Sequence, residues 1–161
     1  MFEHEGISFS QAMGILPEHI GIWLNTIMIT ALLGLIFIKK REAQVVFVAF
    51  LISIPFTLWV YSEVGIASRL VGLGHVVFWL PAAVFGLVQI WRKQLYKVGS
   101  IYQGAFVVWL AMASTFFLAS NFWDVPDTVR YVVNGCTPDT VTPGCTDYDL
   151  VNRIAAYRAN K

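Results

Sequence analysis

His75 is the residue of this chain with the widest chemical scope. It falls about one and a half turns into a long apolar stretch free of acidic and basic side chains, where an ionisable group is costly and ordinarily faces a cavity or a partner. An imidazole there serves as a ligand, a gate or a protonation site, or stays neutral and hydrogen-bonds a neighbouring helix. Helical spacing puts Ser68, Gly72, His75, Trp79, Ala82 and Gly86 on one side. Such a stripe of small and polar residues suits close helix packing, and in several assembled copies it would line a pore. Glu63 and Arg69 bracket the turn that precedes it. They are expected to pair with each other, or to form a vestibule in which Arg69 attracts anions. On one continuous helix, however, Arg69 and His75 would point in different directions.

The remaining chemistry-bearing residues match no recognised motif. Glu3, His4 and Glu5, Glu18 with His19, and the carboxylates Asp124, Asp127, Asp139, Asp147 and Asp149 lack metal-ligand spacing and read as solvated acidic surface. No metal site is expected. A haem held by two histidines needs a second histidine deep in a span, and His75 stands alone there, so no cofactor is expected either. Cys136 and Cys145, the only cysteines, enclose eight residues in CTPDTVTPGC. That spacing is too wide for a C-x-x-C redox pair and suits a structural disulfide across a turn made by Pro138, Pro143 and Gly144. The sequence has no P-loop, no G-x-G-x-x-G, no H-E-x-x-H and no basic surface for nucleic acid.

The elements that must position these residues are membrane helices. Of 161 residues, 57% are hydrophobic and only 13% charged. The charges are segregated, leaving four apolar stretches at residues 17–38, 44–61, 70–91 and 101–120, with Glu18 only in the first turn of the first. A helix rising ~1.5 Å per residue crosses a hydrocarbon core of ~30 Å in about 20 residues, so each can span. The first stretch lacks the basic region of a signal peptide and ends in Lys39-Lys40-Arg41, which keeps it in the mature protein. The expected fold is an all-α integral membrane protein: an up-down bundle of four transmembrane helices over residues 17–121, an interfacial N-terminal segment 1–16 and a tail 122–161.

Lys39, Lys40, Arg41, Arg92, Lys93 and Lys97 flank one side of the spans, against Arg69 and Arg130 on the other. This bias assigns the basic loops to the cytoplasm and both termini to the outside, the side on which a disulfide persists. The expected location is a cell membrane, the inner one in a bacterium. The tail should hold a short helix over residues 126–133 and a second over 147–160, whose Leu150, Val151, Ile154 and Tyr157 form an apolar face that must dock on the bundle or on another subunit. Trp79 and Trp109 lie inside their spans, where they fill volume and need acceptors for their indole N–H groups. Thr26, Thr30, Ser53, Thr57, Ser114 and Thr115 are expected to hydrogen-bond between helices, and Pro55 and Pro81 to kink theirs.

These features favour a homo-oligomeric channel or passive transport protein. Its pathway would follow the third helix, with His75 and Arg69 near the outer mouth, Glu63 and Gly72 beside them and Trp79 at a constriction. An accessory or scaffolding subunit of a larger membrane complex is the alternative. A small integral-membrane enzyme is the second, and it gains if His75 lies beside Glu63 or an outer Asp in a pocket open to lipid or solvent. The partners expected are the bilayer and either further copies of the chain or other membrane subunits.

Overall fold

The computed structural model describes residues 3–4, 7–137 and 145–160. Glu5, Pro138, Asp139, Pro143, Gly144 and Lys161 lie outside the described residues. A minimal antiparallel pair, β1 (Glu3–His4) and β2 (Ile7–Ser8), leads into α1 (Phe9–Ile15). Ser8 starts α1 with a capping box, its hydroxyl accepting from the Gln11 amide while the Gln11 side chain accepts from the Ser8 amide. Each thereby satisfies a donor that the helix start would leave unpaired.

Four helices are long and apolar enough to cross a membrane, spanning Glu18–Phe37, Arg41–Val64, His75–Arg92 and Ile101–Val133. The first is α2 (Glu18–Leu33), which tightens into a 3-10 turn over Gly34–Phe37; the second is α3 (Arg41–Val64). The third opens with a π-helical turn, His75–Trp79, and continues as α4 (Leu80–Arg92), and the fourth is α5 (Ile101–Val133). Their lipid-compatible faces carry exposed large apolar residues such as Ile22, Ile29, Ile36, Leu51 and Val108. The shared core joins Ile27 and Ala31 of α2, Val46 and Phe50 of α3, Trp79, Ala82 and Ala83 of the third span, and Trp109, Leu110, Ala113 and Phe117 of α5. One end of the bundle is closed by Lys93 Nζ donating to the buried carboxylate of Glu42 at 2.5 Å. We call this the basic end and the opposite one the tail end.

Two departures from the sequence expectation shape the site. The fourth span does not stop near residue 120: α5 runs 33 residues, through Pro126, to Val133. At ~1.5 Å per residue this rod is about 50 Å long, so the expected separate helix over 126–133 is its last two turns. The other departure is at the third span, where residues 66–72 form turns and helix begins only beside His75. Leu80 N–H then reaches back five residues to the His75 carbonyl. The wide turn ends immediately before Pro81, whose ring would clash with the Val77 carbonyl in a regular α-turn and which has no N–H to offer it.

The tail closes the bundle. Asp147 caps α6 (Tyr148–Ala159) by accepting from the amides of Asp149 and Leu150. Leu150, Ile154 and Tyr157 pack with Ile7, Ala12, Ile15 and Tyr61, so the apolar face of α6 is covered by α1 and the end of α3. The Tyr61 hydroxyl donates to the Ile7 carbonyl at 2.6 Å, fixing the N-terminal segment to the same place. A disulfide joins Cys136 and Cys145 with Cα atoms 5.8 Å apart. Beyond it, the tail pairs with the turn after α3: Arg69 N–H donates to the Cys145 carbonyl at 3.0 Å and Asp147 N–H to the Ala67 carbonyl at 2.8 Å.

Trp79 Nε1 donates to Ser53 Oγ and Trp109 Nε1 to the Thr30 carbonyl, each at 2.8 Å, which meets the need of both indoles between helices of the chain. The hydroxyls behave differently from expectation. Thr26 and Thr30 donate to the Ile22 and Thr26 carbonyls of their own helix, because the carbonyl one turn back is within reach without a neighbour. Ser53 donates to Phe50 in the same manner and bridges helices only by accepting from Trp79.

Candidate functional site

Ser120, Asp124 and Asp127 recur at one-turn spacing along the face of α5 that meets the start of the third span. His75 Nδ1 lies 2.8 Å from Asp124 Oδ2, and Ser120 Oγ donates to the same oxygen at 3.1 Å. As a carboxylate, Asp124 can only accept, so the proton between them sits on Nδ1, and whenever the ring is neutral its lone pair is on Nε2. No hydrogen bond engages Nε2 among the described residues. The other face of the site is aromatic. The His75 ring stacks on Trp79 with centroids 3.8 Å apart, and Trp79 stacks in turn on Phe117 at 4.7 Å.

Local structure explains this arrangement. The wide turn carries His75 and Trp79 one above the other, and the Ser53 hydroxyl holds the indole from α3. Gly72 lies against Asp124 so closely that a Cβ would overlap its Oδ1. A side chain there would push the carboxylate away from His75. Arg69, in the turn before, forms an ion pair with Asp127, which Arg130 also approaches at 3.5 Å. Because residues 66–72 are not helical, Arg69 and His75 both face α5 and meet acidic residues three positions apart. The Glu63–Arg69 pair expected from sequence is not formed: Glu63 is exposed on the last turn of α3, and Arg69 turns to Asp127 instead.

The site opens onto a cavity of about 370 Å³ between α2 and α3. Its walls are Leu16, Ile20, Leu24 and Ile27 on one side and Phe50, Ile54, Thr57 and Leu58 on the other, with Phe9 and Met13 of α1 toward the tail end. His75, Trp79, Gly72 and Asp124 also line it, and the two ionisable residues are its only titratable groups among the described residues. Met28 and Ile54 line the rim and are each 43% exposed. Both lie near the middle of their spans, so the mouth is at the level of the hydrocarbon core. Toward the basic end the lining reaches no further than Met28, Phe50 and Trp79.

Of the residues singled out from sequence, the structure brings His75, Trp79 and Gly72 together at this cavity, sets Arg69 one ion pair away and leaves Glu63 apart. Ser120 was not among them, and Asp124 was read only as solvated acidic surface, whereas it is largely buried against His75. The signal that could have found them is the spacing Ser120-x-x-x-Asp124-x-x-Asp127, which continues the face of the fourth span past its apolar stretch.

Four helices capable of crossing a membrane, with a polar pair at an apolar cavity among them, mark the chain as a membrane protein. No protein family, curated protein or solved structure gives a significant match to it.

Proposed function

We propose that the protein is a small integral-membrane enzyme that admits a lipid-soluble molecule through the mouth between α2 and α3 and exchanges a proton with its polar end at His75. The observation that carries this reading is the engagement of Nδ1 by Asp124 while Nε2 is left unengaged in a ring that lines an apolar cavity. A carboxylate that accepts from Nδ1–H orients the imidazole and stabilises the imidazolium formed when Nε2 takes a proton. Low polarity around the pair strengthens that stabilisation. In this role His75 is the base, Asp124 and Ser120 are positioning residues, and Trp79 supports the ring.

The enzyme reading is supported over a pathway along the third helix by the state of Trp79, which is buried and stacked between His75 and Phe117. The cavity also ends at that residue. The loop charge bias and the disulfide support a tail end outside the cytoplasm, so that the site would exchange protons with that side.

The test is labelling in proteoliposomes with a photoactivatable alkyl diazirine. Saturable cross-links on peptides containing Met13, Met28 or Ile54, abolished by the cavity-filling Leu24→Trp, are the expected result. Labelling that does not saturate and is the same in Leu24→Trp would overturn the reading.

A further inference from the structure

We propose that the molecule held in this cavity is uncharged and ends in a hydroxyl group, a lipid-soluble phenol or alcohol whose O–H donates to Nε2 of His75. This rests on the cavity being a binding site. Its substance comes from charge and from hydrogen-bond polarity, which narrow the polar end of the ligand independently.

Charge comes first. Among the described residues no Lys or Arg lines the cavity, and its one carboxylate belongs to Asp124. Arg69 and Arg130, each six residues from one member of the pair, are both held against Asp127. An anionic head such as a carboxylate or phosphate would enter an apolar space facing a carboxylate with no cation to meet it, and an unpaired charge there is strongly disfavoured. A cationic head needs that carboxylate as its partner. That carboxylate is already engaged, with Oδ2 accepting from His75 and Ser120 and Gly72 packed against the Oδ1 side, so a cationic head would have to displace those contacts. What the cavity presents is the imidazole.

Hydrogen-bond polarity completes the case. With its proton on Nδ1, the ring offers a lone pair at Nε2 and asks for a donor. Ethers, esters and ketones have none to give, whereas a hydroxyl does. Proton transfer follows the same line: the O–H bond breaks, its proton bonds to Nε2, and the electron pair stays on the ligand oxygen as an oxyanion that pairs with the imidazolium lying between it and Asp124. The cavity, about 370 Å³, is at the lower end of the range for small-molecule sites, ~300 to 1,000 Å³, which fits the head and first part of one chain.

A matched set of probes separates these possibilities: para-octylphenol, its methyl ether, para-octylbenzoate and para-octylbenzylamine, titrated calorimetrically into the full-length protein in nanodiscs, with empty nanodiscs subtracted. The phenol should bind at least about tenfold more tightly than the other three. His75→Phe, which keeps a ring on Trp79 but offers no acceptor, should cut phenol affinity to that of the ether while ether binding, which reports an intact cavity, stays unchanged. Equal binding of phenol and ether overturns the hydroxyl assignment and leaves the cavity reading standing. Tightest binding of the benzoate or the amine overturns it through charge, and no binding of any probe overturns both.

Discussion

Replacing Asp124 by Asn keeps the shape of the side chain and removes its charge, so it isolates what the carboxylate does for His75. In the native pair Oδ2 accepts from Nδ1 at 2.8 Å and from Ser120 at 3.1 Å. A hydrogen bond to an ionised partner contributes roughly 1.5 to 3 kcal/mol net, against about 0.5 to 1.5 kcal/mol between neutral groups. The difference, roughly 1 to 2 kcal/mol, is the preference for the Nδ1–H tautomer that the variant should lose. It corresponds to a change of about 5- to 30-fold in the tautomer ratio. Both partners are largely but not fully buried, with side-chain exposures of 17% and 21%, so the native value should fall in that range rather than in the small one of a surface pair. The assay is nitrogen NMR of ring-labelled histidine in nanodiscs, with His4 and His19 changed to Gln so that one imidazole remains. The native ring should carry its proton on Nδ1, and Asp124→Asn should give a mixture of tautomers. A native ring protonated at Nε2, or the same ratio in both proteins, would refute the assignment of Asp124 as the group that orients His75.

Two further outcomes test the frame around the site. Gly86 packs on Ser114 and Leu110 of α5 with no room for a Cβ, so Gly86→Val should separate the helices and cost about 1 to 3 kcal/mol in detergent-induced unfolding; stability within ~0.5 kcal/mol of native would show that this contact gives way freely. Cys145→Ser opens the disulfide at a buried position. The loss of loop closure should amount to roughly 2 to 3 kcal/mol, read as faster amide hydrogen exchange in α6 and at Arg69 N–H; unchanged exchange there would mean that the tail holds its place by packing alone.

The membrane helices were legible in the sequence because their signal is simple. Charge-free runs of spanning length, bounded by Lys39–Arg41, Arg69 and Arg92–Lys93, recur as helices with ends displaced by a few residues, apart from the fourth, which continues to Val133. The disulfide was legible because only two cysteines exist, and the docking of α6 because an apolar face in water needs a cover. The site was legible in one half. His75, Gly72 and Trp79 stand out as a helical stripe, but their partners on α5 do not, since composition turns polar at Asn121 and a boundary drawn on hydropathy cuts the helix before Asp124. Helix continuity depends on backbone hydrogen bonds and not on apolarity. The non-helical state of residues 70–72 was hidden for the opposite reason: they are apolar enough to join the third stretch, and the absence of helix there emerges only from pairing of the preceding turn with the tail, through Arg69 to Cys145 and Asp147 to Ala67.

The wide turn at His75–Trp79 also has a consequence for phase. A π-turn takes up one residue more than an α-turn, and one residue is about 100° of helical rotation. Residues before Pro81 are therefore advanced relative to those after it, and the stripe from Ser68 to Gly86 is two segments with separate angular settings. Ala82 and Gly86 answer to the surface of α5 near Leu110 and Ser114, whereas His75 answers to Asp124, about three turns beyond Ser114 along the same rod. Through this offset one span meets two surfaces of the same rod, with small residues where it packs closely and the imidazole where α5 carries its carboxylate.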